Sequence, residues 1–71
     1  MDIVFYNYGE FLVELVDVNG NLRQFHKWGA HGLKMCADFA HFKMEVDSSL
    51  EKAMILDYNT GEVVLEIVRE A

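Results

Sequence analysis

Apolar and polar positions alternate with period two across "EVVLEIVRE" (Glu62–Glu70), with Val63, Leu65 and Ile67 on one side and Glu62, Glu66 and Glu70 on the other. Such a pattern predicts a half-buried strand of an antiparallel sheet. Upstream, Phe11–Val18 is apolar on both sides except at Glu14 and Asp17, which predicts a central or doubly covered strand. Asn19-Gly20 stands between β-rich runs as a hairpin signal, because glycine takes a positive φ without steric cost. Gly61 closes a second, slightly longer turn after "MILDYNT". The stretch "IVFY" at residues 3–6 reads as a further strand, or as a continuation into Phe11 through a bulge at Gly9.

Between the hairpins the period changes to that of a helix, over about residues 30–44. At 100° per residue, Lys34, Asp38, His41 and Glu45 form one polar stripe. Leu33, Cys36, Ala37, Ala40 and Met44 fill one flank, whose small residues suit close packing on a sheet. Met35, Phe39 and Phe42 fill the other flank, which has the N-terminal aromatics or a second subunit to meet. Gly32 weakens a helix by about 1 kcal/mol relative to alanine, so the start is expected nearer Leu33. Ser48-Ser49-Leu50-Glu51 resembles a capping box that opens one short helical turn. The expected fold is α+β: a small antiparallel sheet of two β-hairpins, plus the N-terminal strand if it forms, with one helix packed across a face.

Composition narrows the picture. Seventy-one residues make one domain, 1–71, with a marginal core. A chain with 52% apolar and 13% aromatic residues is rich for that size. The excess points to a dense core or to surface covered by a partner, and a homodimer is the simplest source of cover. The single cysteine rules out an intrachain disulfide and suits a reducing compartment. No stretch is long enough for a membrane span and "MDIVFYNYGE" has no basic n-region, so a cytoplasmic protein with no membrane contact is expected.

Charge is uneven. Residues 1–44 carry five acids against four bases, whereas residues 45–71 carry seven acids against Lys52 and Arg69. An acidic chain disfavours direct nucleic-acid binding, which needs a basic footprint. The acidic third is either a solvated face that keeps the protein soluble or a surface for a basic protein partner, including one that imitates nucleic acid. The candidate partner-binding residues are Tyr6, Tyr8 and Trp28 as aromatic bulk, with Glu10, Glu51, Asp57, Glu62, Glu66 and Glu70 as acids. Glutamates four apart on a strand stand near 13 Å apart, so adjacent elements must supply the charges between them.

Catalytic and metal chemistry finds little support. His31 and His41 flank Cys36 at five residues on either side. On a helix each pair is about 140° apart and the histidines are roughly 15 Å apart along the axis, too far to share an ion. His26 with His31 from the preceding loop is the remaining metal alternative, and the Gly29–Gly32 turn the remaining anion site, although it lacks the phosphate-loop pattern. No metal, no cofactor and no catalytic residue is expected. The order hairpin, His-Lys, Gly, helix, strand in "DVNGNLRQFHKWG" resembles the small phage inhibitors of uracil-DNA glycosylase over about residues 11–57. Turn chemistry carries the resemblance, and this chain differs in its longer helix and extra C-terminal hairpin. Small acidic anti-CRISPR proteins match equally well in size and charge. Either resemblance implies a non-catalytic inhibitor that blocks a nucleic-acid-handling enzyme with its carboxylates. The alternative is an accessory subunit whose apolar surface is buried in a larger assembly.

Overall fold

A computed structural model describes residues 8–69. Residues 3–6, where a further strand was considered, lie outside the described residues. The elements run β1 (Tyr8–Asp17), β2 (Leu22–Gly32), α1 (Leu33–Val46), β3 (Leu50–Asp57) and β4 (Val63–Val68). The four strands form one antiparallel sheet in the order β2-β1-β3-β4. This is the α+β architecture expected from the pattern. The strand read as apolar on both sides, β1, is central, and α1 carries the chain over it from β2 to β3.

Two acids build the hairpin loops. Asp17 Oδ1 accepts the amides of Asn19 at 2.9 Å and Asn21 at 3.0 Å, and Gly20 (φ 84°) completes the reversal. The loop is therefore a three-residue type with a left-handed glycine, wider than a two-residue turn at Asn19-Gly20. Asp57 repeats the device, accepting from Asn59 at 2.8 Å and Thr60 at 3.2 Å, with Gly61 at φ 77°. The pairing of β1 with β2 shifts between Gly9 and Phe11, placing an irregularity where a bulge was expected at Gly9.

The helix starts at Leu33, with Gly32 as its N-cap residue and no side-chain cap. Leu33, Cys36, Ala37, Ala40 and Met44 are buried against Phe11, Val13, Leu15, Leu50, Ala53 and Ile55 of the sheet. The polar stripe is exposed, and Lys34 Nζ donates to Asp38 at 2.8 Å. On the other flank Phe39 packs against the rings of His26 and Trp28, at centroid distances of 4.9 and 5.1 Å.

The capping box does not form. Asp47 ends α1, and its Oδ1 accepts both the amide (3.0 Å) and the hydroxyl (2.6 Å) of Ser49. The amide of Leu50 then donates to the Asp47 carbonyl, and β3 begins at Leu50. A carboxylate at the helix end satisfies the turn before Ser48 can start another one. The pattern across Glu62–Glu70 also needs correction at one position. Leu65 and Ile67 pack towards the core, but the β3–β4 register shifts between Ile55 and Leu56 and Val63 is left exposed.

Candidate interaction surface

The helix covers only one face of the sheet. Cross-strand partners share a face, so the register maps the other one directly. One row reads Leu22, Val16, Lys52 and Val68 from β2 to β4; the next reads Phe25, Glu14, Met54 and Glu66; the third reads Lys27, Leu12, Leu56 and Val63. Eight of these twelve positions are apolar, and the four charges are two lysines and two glutamates. Glu10, on the same side of β1 and paired with Lys27, adds a third glutamate, so the face carries only a small part of the chain's net charge of −6.

Nothing in the described chain lies over this face. Phe25 is 65% exposed, Val68 54% and Leu22 50%, values that belong to side chains pointing into open space. Val16 is buried yet stands outside the helix-side core cluster, because it lines this second face. A hollow of about 300 Å³ lies there, between Val16, Lys52, Met54 and Val68, with Glu51 and the Asp17–Gly20 turn at its end. Lys27 sits at one corner, 4.0 Å from the centroid of the Tyr58 ring and 3.8 Å from Glu10 Oε2. A second groove of about 400 Å³ runs between α1 and β4 along His41, Met44, Ile67 and Arg69. A third exposed apolar surface is the helix flank at Met35, Phe42 and Val46.

The residues singled out in the sequence are distributed over several surfaces. Tyr6 and Glu70 lie outside the described residues, and Tyr8 is described only as the first residue of β1. Trp28 is half-buried on the helix side, packed on Phe39 and the core. Glu10 is exposed beside Lys27, and Glu51 is half-buried at the start of β3. The Asp57 carboxylate holds its own loop. Glu62 is exposed in that loop, on the far side of the register shift from Glu66. Glu66 is exposed on the open face, across from Met54. Phe25, Leu22 and Val68 were not singled out; the signal was the two-sided apolar character of β1, whose second face they extend.

Other chemistry is thin among the described residues. No three His, Cys, Asp or Glu side chains converge on a point. Burial pushes the Cys36 thiol above its ordinary pKa, which leaves it protonated and unreactive. His26 shares a 3.0 Å hydrogen bond with Gln24 Oε1 and stacks edge-on against Phe39. No described helix is long and apolar enough to cross a membrane. The chain matches no protein-family profile, no curated protein and no solved structure.

Proposed function

We propose that this chain is a non-catalytic protein-interaction module that binds through the open face of its sheet. The observation that carries this reading is the exposure of Phe25, Leu22 and Val68 on a mostly apolar face of a very small domain. Monomeric proteins seldom leave a contiguous apolar patch of several hundred Å² in water. Burying such a patch supports association at about 25 cal/mol per Å², before the entropic cost of docking. The reading stands closer to an assembly subunit than to an acidic decoy.

Imitation of nucleic acid, with blockade of a host nucleic-acid-handling enzyme, is the second reading. It draws on the excess of acids in residues 45–71 and on the exposure of Glu62 and Glu66. Two other acids of that segment, Asp47 and Asp57, already accept hydrogen bonds within their turns, which leaves fewer carboxylates for phosphate positions.

The two readings differ in their response to salt. The test is capture with immobilised chain as bait, using the parent, Phe25→Glu, and Glu62→Gln/Glu66→Gln. The module reading expects a retained protein, either this chain or another, that survives high salt, is lost with Phe25→Glu and persists with the glutamine pair. Retention that disappears with salt and with the glutamine pair would overturn it in favour of the decoy.

A further inference from the structure

We infer that the occupant of the open face is a second copy of this chain, docked face to face with Phe25 of each copy seated in the hollow of the other. The inference rests on the module reading above and adds the partner.

Three observations lead to it. The first is charge. A chain of net charge −6 repels its own copies over most of its surface, but the open face sets Lys27 and Lys52 against Glu10, Glu14 and Glu66, so little of that net charge lies on it. The second is area. Four strands about 4.8 Å apart and three same-face rows about 6.8 Å apart give this face roughly 400 Å² per copy in projection. Two such faces make a small interface, in the range of weak, reversible association below about 1,200 Å² in total.

The third is shape. Phe25 projects from edge strand β2, and the hollow of about 300 Å³ lies across the same face beside Val16, Met54 and Val68. A knob and a hole on one surface make it self-complementary under a two-fold axis. Take strands about 4.8 Å apart and same-face residues about 6.8 Å apart along each. The two-fold axis that lays Phe25 over the partner copy's hollow also lays Lys27 within about 2 Å, in projection, of the position of Glu66. It brings Leu22 over Val16 and Leu56 over its own equivalent. The product is a sandwich of two sheets about 10 Å apart, with both helices outside.

One residue opposes this arrangement. Glu14 falls beside the axis and faces its own copy, so like charges meet there. The arrangement therefore predicts that Glu14→Gln strengthens the dimer, whereas a seam elsewhere predicts no effect.

The decisive experiment is sedimentation equilibrium of the full chain over a wide concentration range, with circular dichroism to confirm that each variant is folded. The parent is expected to be a dimer at about 100 μM, a modest affinity for a face of this size. Phe25→Glu should weaken it at least tenfold and Glu14→Gln tighten it several-fold. Lys27→Glu and Glu66→Lys should each weaken it, and the double exchange should recover most of the loss. Lys27→Met serves as a second probe, since it removes the charge without adding repulsion towards Glu10. A parent that stays monomeric up to about 1 mM overturns the inference. So does a dimer indifferent to Phe25→Glu, which would move the seam to the α1 flank or the β4 edge. If the monomeric chain still captures another protein in a Phe25-dependent manner, the module reading stands and only the partner was wrong. If capture also fails, both fall.

Discussion

Asp17, Asp47 and Asp57 show how a single carboxylate sets local structure. Each stands at the end of an element and accepts two hydrogen bonds from residues two to four positions ahead. In the composition they count only as negative charge; in the fold they are turn formers. For Asp47 the consequence is measurable. The hydroxyl of Ser49, then its amide, stabilise the ionised form and hold the carboxyl below the ordinary carboxylate range. A pKa depressed on folding contributes stability that is present above the unfolded-state value and lost as pH falls through the folded one. Titration followed by carboxyl carbon NMR should place Asp47 below the ordinary aspartate value. Ser49→Ala should raise it towards the ordinary value; an unchanged titration would remove the hydroxyl from the account.

At the scale of elements, one side chain ties the C-terminal end of α1 to the sheet. Arg69 follows β4, and its Nη2 donates to the carbonyls of Met44 and Asp47 while Nε donates to that of Leu50 at 2.9 Å. The last carbonyls of a helix have no partner within it, and a guanidinium there also meets the negative end of the helix dipole. The planar fork is what allows one residue to reach three carbonyls. Arg69→Ala should cost about 2–3 kcal/mol by chemical denaturation, with Arg69→Lys recovering less than half of it. Loss below about 0.5 kcal/mol would mean that water replaces the guanidinium without penalty. The helix start and both hairpins were legible in the sequence because glycine and periodicity act within a few residues, whereas the helix runs two residues past the expected end, to Val46. The capping box was misread because Asp47, one position earlier, uses the same local chemistry first.

For the whole molecule, the limiting quantity is the small core. Leu15, Leu33, Leu50 and Ile55 are its largest fully buried side chains, and they come from three different elements, β1, α1 and β3. Truncating one leaves a cavity that the thin two-layer fold cannot fill, so Ile55→Ala should cost about 2–5 kcal/mol. A domain of this size has about that much stability in total, so the variant should be largely unfolded at 25 °C by circular dichroism. If it instead melts cooperatively within a few degrees of the parent, the core extends beyond the residues named here. Should the sheets pair as inferred, the melting temperature of the parent would rise with protein concentration, since association adds stability only to the folded state.

What the residues determined by themselves is the two hairpins, the single helix and, apart from Val63, the face that each presents to the core. The five residues of α1 expected to pack on the sheet are the five that do, because helical spacing is set by backbone geometry alone. The mostly apolar open face was decided only by the tertiary structure. Its charges come from four strands and offset one another only when register brings Lys27, Lys52, Glu10, Glu14 and Glu66 onto one surface. A linear reading sums charge along the chain and places it in an acidic third. Register sums it across strands far apart in sequence, and the surface it assembles is a different one.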